Sequence, residues 1–430
     1  MKMKIIRRII FLKLKVLIFI LWKIRLDNLI SKLLTYIIIR QNKEEINKIK
    51  NQKVILAMQR GIFNLDIAAL KKYPSEYKII IYPALCRALI FDEAEWIHPK
   101  EILEQTVFYA KKEQYKKHYE RLSNLFLKII NNFEKKTDSN VKLILTGNMD
   151  YFQDYPWIKT IHDHKGKFIV LEKESIVYLY TDKTNLSKRH NKYKFKYEGD
   201  YVLFYNYLAK ETYIEAGSIN PKQAIVTGCP RVDRLTELSK NKKQIKNYIA
   251  LIASFMQPYY FATNVWDEII TDINQDEILQ GKTIVKCKDK KEQEQLNNKY
   301  PKIKTVSDSI ENHLRTNPSI FVGYNSTTCY DALITATPMV IPYWGETKKK
   351  SDDGLVGMHT SQFHLIANNK DEMIKILKDY IKGDTKKYMQ TPTIWDNKEL
   401  KEFLEKRYSR VDGKNCQRFF EFCERIIDEN

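Results

Sequence analysis

Between Ser319 and Trp344 the chain reads SIFVGYNSTTCYDALITATPMVIPYW, and no other stretch constrains the fold as much. The apolar run Ile320-Phe321-Val322-Gly323-Tyr324 has the length and composition of a buried strand. Asn325-Ser326-Thr327-Thr328 follows, residue types that cap a helix start and leave backbone N–H groups facing outward. Asp331 falls on the first turn of that helix, where a carboxylate can reach sugar hydroxyls. Met339-Val340-Ile341-Pro342 begins the next strand. A helix N-terminus at the carboxyl end of a parallel strand is an anion site, most often for phosphate. The plainer reading is a well-capped helix in any α/β protein.

The same alternation runs along most of the chain. Strands are predicted at Val54–Met58, Tyr77–Tyr82, Val141–Leu145, Lys167–Leu171, Tyr201–Tyr205 and Ala224–Thr227. A second series follows at Tyr248–Ala253, Thr283–Lys286, Lys304–Val306, Ile320–Tyr324 and Met339–Pro342. Helices are predicted at Pro99–Tyr109, Glu113–Phe133, Asp371–Lys382, Lys398–Tyr408 and Lys414–Glu429. Two strand–helix series imply an α/β chain with two Rossmann-like, doubly wound domains facing one another across a cleft. The expected segments are 1–40, a basic amphipathic helix; 41–240, the first Rossmann-like domain; 241–395, the second; and 396–430, C-terminal helices.

Composition narrows the class. A hydrophobic content of 43% over 430 residues supports two proper cores and excludes general disorder. Cys86, Cys229, Cys287, Cys329, Cys416 and Cys423 form no CxxC or Cys/His ligand spacing, which suits reduced thiols in a cytosolic compartment. The net charge of +20 is uneven: the first 40 residues hold ten basic residues against the single acid Asp27. That segment is also crowded with Ile, Leu, Phe and Trp, but Lys13 and Lys15 interrupt it, so a spanning helix of about 20 apolar residues is not expected. It has no small-residue cleavage site. A basic, apolar helix of this kind suits the interface of an anionic leaflet, placing the protein peripherally on the inner face of the cell membrane. An ordinary helix packed on the domain is the alternative.

Chemistry-bearing residues cluster at strand ends. Thr227-Gly228-Cys229-Pro230-Arg231-Val232-Asp233 makes a defined turn, in which Arg231 can bind phosphate bidentately or pair with Asp233. Asp92 and Glu93 lie on a loop before His98-Pro99 and are the first-ranked candidates for a general base. Asn148, Asp150 and Asp154 form a second candidate loop, and Glu172 with Glu174 a third. There is no DxD or HExxH motif, so no metal and no cofactor is expected. His359, Gln362 and His364 can contact a bound ligand or simply pack.

The GCPRVD turn and the later YNSTTCYDALITATP resemble the GT-B glycosyltransferases that build bacterial surface carbohydrates. More narrowly, they resemble capsule and lipopolysaccharide transferases of the Kdo type. They are also similar to the CDP-glycerol glycerophosphotransferases of teichoic acid synthesis, which carry a comparable glycine-x-proline-arginine-x-aspartate turn. The likeness covers roughly residues 220–345, with weaker extension through ILTGNMDYFQDYPW and FIVLEKES. It implies that Asn325, Ser326, Thr327 and Thr328 hold the donor's phosphate and that Asp331, where many relatives have glutamate, takes the ribose hydroxyls. Lys286 and Lys288 would add positive charge there, in place of the histidine–proline pair of related transferases.

The leading expectation is a nucleotide-sugar-dependent glycosyltransferase acting on a growing surface glycan or its lipid-linked carrier. Transfer of a polyol phosphate is the alternative within the same fold. A non-catalytic scaffold and a nucleic-acid-binding protein are further readings, the last disfavoured because the positive excess sits beside apolar residues at one end.

Overall fold

The computed structural model describes residues 2–61, 63–90, 112–172, 195–240, 246–252, 263–287, 289–324, 326–352 and 362–428. The chain divides into two units: the first takes the described residues as far as Arg231 and again from Lys414 onward, the second those from Val232 to Gly413.

The first unit opens with α1 (Lys2–Lys23) and α2 (Asp27–Gln41). There follow β1 (Lys53–Met58), α3 (Phe63–Lys72), β2 (Tyr77–Tyr82), α4 (Ala84–Ile90), α5 (Lys116–Thr137), β3 (Asn140–Thr146), α6 (Tyr155–Asp163) and β4 (Lys167–Glu172). β5 (Tyr201–Phe204), α7 (Tyr207–Glu215) and β6 (Ala224–Val226) complete the sheet, and the division between units falls inside α8 (Pro230–Lys240).

The second unit holds β7 (Lys246–Ile252), α9 (Thr263–Gln275), β8 (Thr283–Lys286), α10 (Lys290–Lys299), β9 (Lys304–Val306) and α11 (Ile310–Thr316). It continues through β10 (Pro318–Val322), α12 (Thr328–Ile334), β11 (Met339–Pro342), α13 (Gly345–Asp352), β12 (Leu365–Ala367), α14 (Lys370–Lys382) and α15 (Lys398–Tyr408). The last helix, α16 (Asn415–Asp428), belongs to the first unit.

Each unit is built on one six-stranded sheet, ordered β2-β1-β3-β4-β5-β6 in the first and β12-β11-β10-β7-β8-β9 in the second. Every pairing is parallel. Parallel strands are covered by helices on both faces, so they read as apolar runs without alternation. β1 and β4 are accordingly buried along all but their first residue, and β10 and β11 throughout. Strand order reverses between β1 and β3 in one sheet and between β7 and β10 in the other. Both units are therefore doubly wound, with a crevice at the carboxyl edge of each reversal.

Apolar residues at helical spacing on α5, Tyr119, Leu122, Phe126, Ile129, Ile130 and Phe133, build the core beneath the first sheet. Phe126 stacks on Trp157 of α6 with centroids 4.1 Å apart, and Tyr82 meets the same indole edge-on. On the edge strand β2, the Asn42 amide pairs both ways with the Ile81 backbone at 2.9 Å, blunting an otherwise open sheet edge. α16 brings Phe420 to stack on Tyr73 and Phe422 to meet Tyr201.

α1 carries apolar side chains on both its core-facing and its exposed sides, with Lys13 and Lys23 exposed among them. Ile18, Leu21 and Trp22 are buried in the first unit's core, while Ile9, Leu12, Val16 and Ile20 recur along the exposed side. No helix among the described residues is long and apolar enough to cross a membrane.

Candidate functional site

In the first unit the reversal between β1 and β3 sets two loops side by side. After β1 come Gln59, Arg60 and Gly61, the last at φ +30 with open space where a side chain would sit. After β3 comes Gly147, where a Cβ would stand 2.7 Å from the Phe63 ring, so the turn requires glycine. Arg60 and Asp154, with side chains 7% and 6% exposed, form an ion pair. The Thr146 hydroxyl donates to the other Asp154 oxygen, and the Arg60 guanidinium lies 4.2 Å from the Tyr151 ring centroid. A desolvated pair needs this geometry, because each ion loses several kcal/mol of hydration, of order that magnitude even after relaxation.

Glu172, fully buried at the end of β4, accepts the Met149 N–H at 3.0 Å. Asn148 accepts the Asp150 N–H at 2.9 Å, closing a side-chain turn. The structure thus brings Asn148, Asp150, Asp154 and Glu172, two separate loops in the sequence, to one crevice. Asp154 is spent on Arg60 and Thr146, and Glu172 braces the loop, while Asp150 sits buried at the loop's end. Arg60 went unnoticed in the sequence; its one signal is an arginine–glycine pair directly after a strand. Asp92, Glu93 and Glu174 lie outside the described residues.

The GCPRVD turn also meets a carboxylate that the sequence does not single out. Asp66 of α3, completely buried, accepts from the Tyr205 hydroxyl at 2.7 Å, the Arg231 N–H at 3.2 Å and the Cys229 thiol at 3.5 Å. Burial pushes the Asp66 carboxyl up, opposed by the Arg231 charge beside it. Gly228 holds φ +87 and donates its N–H to the Phe204 carbonyl, and Arg418 Nε donates to the Thr227 carbonyl at 3.1 Å. Asp66 thus meets both the backbone and the charge of Arg231 from 165 residues earlier in the chain.

In the second unit the reversal between β7 and β10 places the Gly323–Thr328 turn at the carboxyl edge. Asn325 and Lys288 lie outside the described residues. The Ser326 hydroxyl accepts the Thr328 N–H at 3.3 Å, and its carbonyl accepts the Cys329 N–H at 3.0 Å. Thr327 occupies the cap position with helical backbone and no side-chain cap bond. Tyr324 is anchored by donating its hydroxyl to the Thr347 carbonyl at 3.1 Å.

Asp331, 3% exposed, accepts from the Tyr408 hydroxyl of α15 at 3.0 Å. Tyr408 in turn meets Tyr330 edge-on, and the Arg407 guanidinium lies over both Phe403 and Tyr330. α15 therefore clasps α12 and fixes the Asp331 carboxylate. Lys286 ends β8 half-buried; burial lowers its affinity for a proton, with Asp308 as the chief opposing charge. His364 is buried, with Nε2 3.4 Å from the Cys329 carbonyl, and burial pushes it down to about 4, so it packs as a neutral ring. Gln362 donates to Glu399, and His359 lies outside the described residues.

No protein-family model and no curated protein matches the chain. Among solved structures it is similar to the wall teichoic acid polymerase TagF, at 11% identity over 96% of this chain and 97% of that one, with a TM-score of 0.49. It is also similar to Anabaena Alr3699/HepE in complex with UDP-glucose, at 12% identity over 86% and 99%, TM-score 0.43. A third is a UDP-forming α,α-trehalose-phosphate synthase from Burkholderia vietnamiensis, at 10% identity over 88% and 100%, TM-score 0.41. Likenesses at this level assign no function to the chain.

Proposed function

We propose that the protein is a glycosyltransferase of the GT-B type that moves a sugar from a nucleotide-activated donor to a bacterial surface glycan or its lipid-linked carrier. The observation that carries this reading is the position of the Ser326–Asp331 segment at the second sheet's strand-order reversal, where doubly wound folds bind phosphorylated ligands. Asn325, Ser326, Thr327 and Thr328 hold the donor phosphate, with Lys286 and Lys288 supplying charge. Asp331, braced by Tyr408, accepts the ribose hydroxyls.

In the first unit a carboxylate deprotonates the acceptor hydroxyl as it attacks the donor's anomeric carbon, and the nucleotide leaves with the bonding electrons. Asp150, Asp92 and Glu93 are the candidates for that base. The α1–α2 face holds the protein peripherally on an anionic membrane surface, where a lipid-linked acceptor is presented.

Transfer of a polyol phosphate from a CDP-linked donor is the second reading, favoured by the GCPRVD turn. The two break different bonds. Incubation with donor and a membrane-derived acceptor is expected to yield a product heavier by one sugar residue and carrying no added phosphorus. A product that gains phosphate together with its polyol selects the second reading, and unchanged acceptor under both donor types counts against both.

A further inference from the structure

We propose that a groove between α5 and α6 of the first unit seats an uncharged sugar residue of the acceptor. The proposal rests on the transferase reading and deepens it by naming the acceptor's chemistry. The groove encloses about 500 Å³, within the range of roughly 300–1,000 Å³ typical of small-ligand sites. Its floor and walls are apolar: Tyr119 from α5, with Tyr155, Pro156 and Ile158 from α6. The two tyrosine rings stand 6.0 Å apart at 90°, with Tyr119 buried as the floor and the half-buried Tyr155 the more accessible ring. Tyr155 is steadied by donating its hydroxyl to Glu198. A sugar ring has an apolar C–H face that packs on such a ring and a girdle of hydroxyls that need acceptors at the rim.

The rim supplies those acceptors. Glu113, Glu120, Asp163 and Glu198 line it against Lys116, Lys159 and His162; Lys159 is already held by Asp163 at 2.9 Å and His162 by Asp200 at 2.8 Å. Carboxylates accept strongly from hydroxyls and repel phosphate. An acidic rim stands out on a chain of net charge +20, and it disfavours a polyanionic acceptor. The groove therefore argues for a glycan over a polymer of polyol phosphate.

Its position fits a tethered acceptor. The helix that contributes Tyr119 also carries His118, edge-on to Trp22 of α1, and Arg121, which donates to Asp27 at 2.8 Å and lies 3.6 Å from the Trp22 ring centroid. α5 packs on both α2 and α6. The groove is thus one helix away from the α1–α2 face assigned to the membrane.

Saturation-transfer NMR of the full chain tests this with three probes offered separately: the methyl glycosides of glucose, galactose and N-acetylglucosamine. Glycerol 3-phosphate serves as the anionic comparison. Saturation is expected on at least one glycoside and not on glycerol 3-phosphate. It should fall about tenfold in Tyr155→Ala, whose fold is checked by circular dichroism. The exposed double variant Glu113→Lys/Glu120→Lys should lose glycoside and gain glycerol 3-phosphate. Glycoside signals that are unchanged in both variants, or absent from the native protein, overturn the groove assignment. A nucleotide-induced rise in melting temperature, read in parallel, separates the two ideas: its presence without glycoside binding sinks only the groove, and its absence sinks the transferase reading itself.

Discussion

Arg60→Ala and Asp154→Ala are each expected to lower stability by about 3–5 kcal/mol, because each leaves the other charge buried without a partner. Both side chains are under a tenth exposed, and the Thr146 hydroxyl and Tyr151 ring complete the site around them. The double variant should cost less than the sum of the two, with a coupling on the order of 1–3 kcal/mol, since removing both charges leaves none stranded. Urea denaturation followed by circular dichroism measures all three. A loss below about 1 kcal/mol in either single variant means that the pair is wetter than its burial indicates. The crevice loops would then lack the rigid frame argued for them.

The second large effect is membrane binding. Ile9, Leu12, Val16 and Ile20 on α1 and Leu29 and Tyr36 on α2 are each about half exposed, and Lys13, Lys23, Arg25 and Lys32 are exposed among them. Half-exposed large apolar side chains contribute roughly 1 kcal/mol each on insertion, and each basic residue near an anionic leaflet contributes about 1 kcal/mol. Reversing Lys13, Lys23 and Arg25 to glutamate is therefore expected to weaken sedimentation with phosphatidylserine vesicles by at least about a hundredfold. These side chains are exposed, so the fold should persist. Val16→Asp/Ile20→Asp should weaken binding to anionic and neutral vesicles alike. Undiminished binding in both variants removes these helices from the membrane. A change in oligomeric mass without a change in vesicle binding would assign the face to a second copy of the chain.

How much of this was legible in the sequence depended on which interactions are local. Met339–Pro342 is legible to its ends because a strand buried on both faces is an apolar run with polar neighbours, and Thr283–Lys286 because its buried and half-buried residues alternate. β10 begins two residues before the apolar run that marks it: Pro318 opens the strand, where its missing N–H is tolerated, and Gly323-Tyr324 already belong to the turn. β12 was missed because three residues at a sheet edge carry no pattern. The helix after Asn325 was foreseen, although its start at Thr328 and its seven-residue length were not.

Long-range pairing hid most of the site. Asn148 and Glu172 were recognised as strand-end residues, but only strand order makes them neighbours. Arg60 finds its counter-ion 94 residues away, and Asp66 meets the GCPRVD turn across 165. No spacing rule reaches that far. The Tyr408 contact to Asp331 was likewise invisible, because the terminal helices read only as amphipathic pieces.

The central claim is that the Ser326–Asp331 segment binds an activated nucleotide. The most direct test is the melting temperature of the full chain against CMP, CDP, UDP and GDP and their sugar or glycerol conjugates. One base is expected to stand out, raising the midpoint by mass action, with the rise abolished in Ser326→Ala/Asp331→Ala. At about a hundredfold excess over the dissociation constant the gain is about 2.7 kcal/mol, which corresponds to several degrees. No shift with any nucleotide, or a shift that survives the double substitution, would contradict the donor site and the function built on it.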